Sequence, residues 1–229
     1  MFRPFGTMIW GTLYNFLLVA IPLYLFTGEV LVRGGVTERM YVALADWLNP
    51  LTGGLLHAKI AASTIFAAIS GSSVTTAATI GTVAFPAFKR RNYKESWVFG
   101  NVASGATLGI LIPSSINLII FGAITNTSIG RLFTAGIVPG LMLAAFFMAT
   151  IVVWSTLGVS VAGRREPLAP WPERRKRLKD LLPPLGVFNI VMGSIDTGWA
   201  TRTEAAAVKV VAATSSLDSP SGFIRSAKH

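Results

Sequence analysis

The stretch ISGSSVTTAATIG, Ile69 to Gly81, places serines, threonines and glycines inside a long apolar run, and a second polar interruption, LIPSSIN, follows at Leu111 to Asn117. In hydrocarbon an unsatisfied hydroxyl or an opened backbone amide is expensive, so these groups must be bonded to something. A serine among glycines at a broken helix is one setting for an intramembrane serine hydrolase, and SGSS invites that comparison. The base would have to be His57, the internal histidine. It precedes Ser70 by 13 residues. On one helix that is roughly 20 Å, so a hydrogen-bonded Ser–His pair would require a different fold.

The composition surrounding these clusters is that of a membrane protein. Of 229 residues, 52% are hydrophobic and only 13% charged, with a mean hydropathy of +0.59. There is no cysteine, which excludes disulfides and thiolate chemistry, and two histidines cannot build a transition-metal site unaided. The net charge of +10 does not point to nucleic acid, because the basic residues fall between apolar segments and no nucleic-acid-binding motif is present. They form two clusters, KRRNYK at Lys89 to Lys94 and the run from Arg164 to Asp180. Short basic loops stay on the cytoplasmic side, so both clusters mark that face.

The elements that must position the polar clusters can be read between those marks. Met8 to Val32 is about 25 residues, long enough to span, with a kink expected at Pro22. A cleaved signal peptide is the alternative there, but no charged n-region beyond Arg3 and no A-x-A site accompany it. VTERMYVALADWLNP then predicts a short amphipathic helix at the interface, with Met40, Leu44, Trp47 and Leu48 on one side. The arms Leu55 to Ile69 and Val74 to Phe88 reach only about 22 Å each and are interrupted by Ser70, Gly71, Ser72 and Ser73. A hairpin entering and leaving on the cytoplasmic face accounts for Lys59 near one end and Lys89, Arg90 and Arg91 at the other. One continuous helix is the alternative.

Ser96 to Thr125 would span, but Gly105, Gly109 and then Pro113-Ser114-Ser115 break it at mid-depth. Proline removes an amide donor and displaces the carbonyl four residues earlier, that of Gly109. A further span returns the chain to the second basic cluster, WPERRKRLKDLLPP reads as an amphipathic arm on the inner surface, and one more crossing and the start of another follow. That last helix is expected to stop near Val211, where a Ser-rich polar tail begins. The fold class is therefore all-α integral membrane, with about four spanning helices, a re-entrant hairpin and a broken helix. Five stretches result: 1–50 with the first span and interfacial helix, 51–94 with the re-entrant hairpin, 95–163 with the broken helix and next span, 164–211 with the cytoplasmic arm and the start of a second half, and 212–229 as a divergent polar tail.

The segments GEVLVRGGVTERM, AAISGSSVTTAATIG, PAFKRRNY, LGILIPSSINLIIFG, SIGRLFTAGIVPGLML and GSIDTGWATRTEAAAV, in this order, resemble the large membrane subunit of tripartite ATP-independent periplasmic (TRAP) transporters, the DctM family. The resemblance runs from about Ala20 to Val211. It departs at Pro113-Ser114, where the family usually has two prolines, and at Thr201-Arg202-Thr203-Glu204-Ala205, where the family reads T-P-T-E-A. The family's subunit is about twice as long and has a second, inverted half with its own hairpin and broken helix, so this chain resembles one half of an inverted-repeat elevator-type transporter.

The resemblance implies a multi-pass bacterial inner-membrane protein that is not an enzyme. It implies part of a Na⁺-coupled importer of organic anions such as dicarboxylates, working with a small TRAP membrane subunit and a periplasmic solute-binding protein in a lipid bilayer, with Na⁺ as coupling ion and no other cofactor. Such transporters coordinate Na⁺ and an anionic solute with unwound backbone and helix ends near the midplane, and a hard cation takes oxygen ligands. On that basis Ser70, Gly71, Ser72 and Ser73, with Gly109, Ile112, Pro113, Ser114 and Ser115, would form a Na⁺ site and half of a substrate site, Na⁺ being held by Ser70, Ser72 and Gly109. Helix N-termini near Val74 and Ser115 would face the anion. A truncated, non-transporting remnant of such a subunit is the alternative expectation.

Other polar residues have plainer roles. Thr75, Thr76 and Thr79 are expected to bond neighbouring backbone, as hydroxyl residues in membrane helices usually do. Asp196 reads as an interfacial carboxylate, Glu204 as a capping partner of Thr201, and Arg131 as a snorkelling interfacial cation. Trp10, Trp47, Trp97 and Trp154 fall near span ends in an aromatic-belt pattern.

Overall fold

The computed structural model describes residues 20–157, 170–196 and 202–215, and all regular structure among them is helical. The helices are α1 (Ala20–Arg33), α2 (Val36–Leu48), α3 (Leu55–Ser70), α4 (Ser73–Arg90), α5 (Glu95–Leu111), α6 (Ile116–Thr125), α7 (Ile129–Thr156), α8 (Trp171–Arg177), α9 (Leu182–Asp196) and α10 (Arg202–Ser215), with a 3-10 turn, Leu178–Leu181, joining α8 to α9.

Helix α3 is the centre of the molecule. It is apolar on every side, and its neighbours α1, α2, α4, α5, α7 and α9 bury nearly its whole length. Ala58, Ala62, Ala67 and Ala68 are among its buried residues, and Gly105 and Gly109 are buried on α5, the helix packed most closely against it. Lipid tails are as apolar as leucine, so helices in a membrane gain little from hydrophobicity alone. Small residues let backbones approach and interlock instead. The outer helix α7 has the opposite character: Val138, Leu141, Met142 and Phe146 are exposed, as a lipid-facing surface requires.

The hairpin expected from the sequence is present, and its two ends meet. At its base the Tyr93 hydroxyl accepts from the Leu55 amide at 3.2 Å and donates to the Gly53 carbonyl at 3.3 Å, while Phe88 and Tyr93 stack edge to face. Arg91 donates to the Asn49 side chain at 2.8 Å. A single continuous helix would hold Gly53 and Tyr93 far apart. The second basic cluster comes to the same end of α2: Trp47 Nε1 donates to the Arg174 carbonyl at 3.2 Å, and Arg177 pairs with Asp46 at 2.5 Å. Both basic clusters thus sit on one side, which the positive-inside rule makes cytoplasmic.

Among the described residues, Glu95–Thr125, Ile129–Thr156 and Trp171–Ile195 are long and apolar enough to cross a membrane. The expected first span, Met8 to Val32, is described only from Ala20 onward. The final helix departs from its expected end. It runs to Ser215 rather than stopping near Val211, because Ala213 is fully buried in a cluster with Leu31, Val36, Ile69 and Val187.

Candidate functional site

The two polar interruptions become two helix breaks, and the breaks touch. Gly71 ends α3 in the left-handed region at φ 65°, its amide donating to the Ala67 carbonyl at 2.9 Å. Glycine reaches that conformation without the penalty a Cβ brings. The second break opens where Ile112, held extended ahead of Pro113, leaves the helix (φ −70°, ψ 138°). It closes through Ser114, whose positive φ of 79° is unusual for a residue with a side chain, and Ser115, which opens α6.

Contact between the breaks is backbone to backbone. The Ile116 amide donates to the Gly71 carbonyl at 3.0 Å. A Cβ on Gly71 would collide with the Ser114 carbonyl, and one on Gly109 would lie 2.8 Å from the Ser73 nitrogen and 2.9 Å from the Ser72 carbonyl carbon. Helix α7 closes the second break from outside, a Cβ on Gly136 or Gly140 meeting Leu111 or Ile112 at 3.0 Å.

All nine residues singled out in the sequence, Ser70, Gly71, Ser72, Ser73, Gly109, Ile112, Pro113, Ser114 and Ser115, lie on these two breaks or on the helix ends entering them. Ser70, Ser114 and Ser115 are wholly buried. Their hydroxyls are used differently. Ser72 caps α4, its Oγ accepting from the Thr75 amide at 3.3 Å and from Thr75 Oγ1 at 3.2 Å. Ser70 Oγ lies 3.2 Å from Thr76 Oγ1, which donates to the Ser72 carbonyl at 2.8 Å. Thr76 therefore bonds neighbouring backbone, as expected of it, whereas Thr75 Oγ1 bonds the Ser72 hydroxyl instead. The buried Tyr24 hydroxyl lies against Ser114. Ser115 Oγ has no hydrogen-bond partner among the described residues. Two helix N-termini, those of α4 and α6, begin at the breaks, so hydroxyl oxygens, freed backbone and two positive dipole ends occupy one locality.

A second polar group lies along the same interface, nearer the hairpin base. Lys59 is 0% exposed, and its amine donates to the carbonyls of Asn101 at 2.6 Å and Val102 at 3.1 Å. Lys59 does lie near the base of the hairpin, in the second turn of α3, but its side chain turns inward instead of reaching the surface. The lysine crosses to α5 and needs Gly105 beneath it, where a Cβ would strike Nζ and stand 2.6 Å from Ser63 Oγ. Ser63 Oγ and Asn101 Oδ1 are buried without partners among the described residues, and no acidic side chain there pairs with Lys59. A lysine in an otherwise apolar helix was the available signal, but Asn101 is too far along the chain for spacing to link the two.

A serine hydrolase does not fit. His57 Nε2 lies 2.7 Å from the Thr52 carbonyl at the start of α3, and that carbonyl can only accept, so Nε2 carries the proton. Ser70 is at the other end of the same helix, bonded to Thr76. Arg131 is exposed, and Trp97 and Trp154 stack with ring centroids 6.1 Å apart. Trp10, Thr201 and the Asp196 side chain, and with them the expected cap between Thr201 and Glu204, lie outside the described residues.

Comparison with known proteins gives a consistent picture. Residues 3–216 match the family model described as the tripartite ATP-independent periplasmic transporter, DctM component. The chain is 37% identical over 210 residues to the C4-dicarboxylate TRAP transporter large permease protein of Pseudomonas aeruginosa, covering 91% of this chain and 48% of that protein. It is 35% identical over 194 residues to the ectoine/5-hydroxyectoine large permease protein of Ruegeria pomeroyi, covering 85% and 45%. Identity to the sialic acid large permease protein of Vibrio cholerae is 34% over 204 residues, covering 86% and 46%. The chain spans about half the length of these curated relatives.

Proposed function

The chain belongs to the DctM family of TRAP transporter membrane components, and from that membership we propose that its two touching breaks form a Na⁺ site and half of an organic-anion site in a secondary transporter of the inner membrane. The observation that carries this reading is the direct seating of one break on the other, through the Gly71–Ile116 hydrogen bond and the approach of Gly109 to Ser72 and Ser73. Opened backbone at membrane depth is tolerated only where protein or a lined cavity satisfies it. Ser70, Ser72 and Ser115 hydroxyls and the carbonyls around Gly109 are the oxygen donors a hard cation takes; Ser70 and Ser115 Oγ have lone pairs to give, whereas Ser72 Oγ already accepts twice from Thr75 and would exchange the Thr75 hydroxyl for the ion. Bound there, Na⁺ would bring positive charge beside the N-termini of α4 and α6 and favour a carboxylate.

The relatives' named solutes, C4-dicarboxylate, ectoine and sialic acid, share a carboxylate group, so a carboxylate-bearing organic solute is the proposed cargo. A small TRAP membrane subunit and a periplasmic solute-binding protein are the proposed partners. The test uses the full-length Pseudomonas aeruginosa relative, with alanine at the positions aligned to Ser70 and Ser72. Loss of one ion or hydrogen-bond contact costs about 1–3 kcal/mol, so the Na⁺ concentration for half-maximal uptake should rise roughly 5-fold to 150-fold. Alanine at the position of Thr79 is the packing control and should shift it little. A uniform loss of uptake in all three with unchanged Na⁺ dependence would reduce the serines to a structural role.

A further inference from the structure

The arm α8 is fastened to α2 in a way that leaves its basic face outward. Arg174 is buried between two indoles, its guanidinium 5.0 Å from the Trp47 ring centroid and 5.1 Å from that of Trp171, and the rings themselves meet edge to face at 5.9 Å. With the Trp47–Arg174 and Arg177–Asp46 bonds, this fixes the rotation of the arm about its axis. Arg175, Lys176 and Lys179 are then exposed, and Arg175 lies 5.8 Å over the Trp171 ring. Trp171 remains 59% exposed, and with Pro172 and Arg175 it lines a shallow hollow of about 430 Å³. Leu178 and Leu182 are also exposed, Leu182 at 66%.

Exposed basic and apolar side chains on one short element fit a surface that is itself charged outside and apolar beneath. The depth of the element decides which surface. The arm leads through the 3-10 turn directly into α9, and Trp171–Ile195 is apolar enough overall to cross a membrane, which puts α8 at headgroup level. The nearby carboxylates do not cancel the charge: Asp46 is taken by Arg177, and Glu173 sits 3.9 Å from the same guanidinium.

We propose that the hollow between Trp171, Pro172 and Arg175 holds the headgroup of an anionic glycerophospholipid of the cytoplasmic leaflet, its phosphates paired with Arg175 and Lys176 and its upper acyl carbons against Trp171 and Leu182. The inference rests on membrane insertion alone and stands apart from the ion and solute site. In nanodiscs containing acyl-brominated phosphatidylglycerol or acyl-brominated phosphatidylcholine, the tryptophan fluorescence that disappears in Trp171→Phe reports quenching at this position. Half-quenching is expected at a roughly 30-fold lower mole fraction of the anionic lipid, the factor for two basic residues engaged at a charged membrane surface. In Arg175→Gln/Lys176→Gln the ratio should fall to about one while quenching itself persists. Equal quenching of the native chain by both lipids would overturn the headgroup assignment, and absence of quenching by either would show that protein covers the hollow.

Discussion

The carbonyl oxygen of Gly71 accepts a hydrogen bond from the amide of Ile116 at 3.0 Å, so the tip of the hairpin supplies an acceptor to the first residue of the helix beyond the other break. The two breaks are therefore one unit, and what disturbs either should disturb both.

Gly71→Ala forces a left-handed conformation on a residue with a Cβ, at about 1–2 kcal/mol, and drives that Cβ into the Ser114 carbonyl. Gly100→Ala is the control, since its Cβ would meet nothing within 4 Å. Thermal unfolding in detergent should show a clearly lowered midpoint for Gly71→Ala and an unchanged or raised one for Gly100→Ala. Equal midpoints would separate the breaks energetically.

Lys59 has no acidic partner among the described residues, so its amine is buried against two carbonyls only. Keeping a polar amine buried without an acidic partner is costly, and an apolar side chain of similar length relieves that cost. Lys59→Met is accordingly expected to unfold at or above the native midpoint, and Lys59→Glu, which sets a carboxylate against the same carbonyls, far below it. A strong destabilisation by Lys59→Met would instead make the amine the fastening between α3 and α5.

The hairpin base predicts how the chain lies in the membrane. Cysteines at Thr52 and Arg90, both exposed and at the joined ends, should react with an impermeant thiol reagent from the cytoplasmic side only. Lys59→Cys should stay unlabelled from either face because the position is wholly buried. Labelling of Thr52→Cys and Arg90→Cys from opposite faces would replace the hairpin with a continuous span.

What was legible in the sequence were the features whose cause is local. Ser70 to Ser73 interrupt an apolar run and Pro113 interrupts the next, so both breaks could be placed from hydroxyls, glycine and a missing amide donor. The position of Lys59 near the hairpin base was legible but its burial was not, because the setting is not local: the carbonyls that hold it belong to Asn101 and Val102 on another helix. Arg174 is similar, since Trp47 that stacks on it and bonds its carbonyl comes from α2. Helix α10 outran its expected end for the same kind of reason, a tertiary pocket for Ala213 overriding a polar composition.

Ser72 and Ser115 separate capping from ion binding. Ser72 Oγ holds the Thr75 amide, so Ser72→Ala should cost about 1 kcal/mol of stability in any salt. Ser115 Oγ makes no hydrogen bond among the described residues, so Ser115→Ala loses little when choline replaces sodium. A ligand that binds only the folded chain raises its unfolding midpoint by mass action, and Na⁺ should do so for the native chain relative to choline. That Na⁺-specific rise is expected to shrink in Ser115→Ala, although its midpoint in choline matches the native one. In Ser72→Ala both the choline midpoint and the Na⁺ rise should fall, because that oxygen serves the cap and the ion together. An undiminished Na⁺ rise in Ser115→Ala would remove its hydroxyl from the ligand set, and an undiminished rise in both variants would leave only backbone carbonyls to hold the ion.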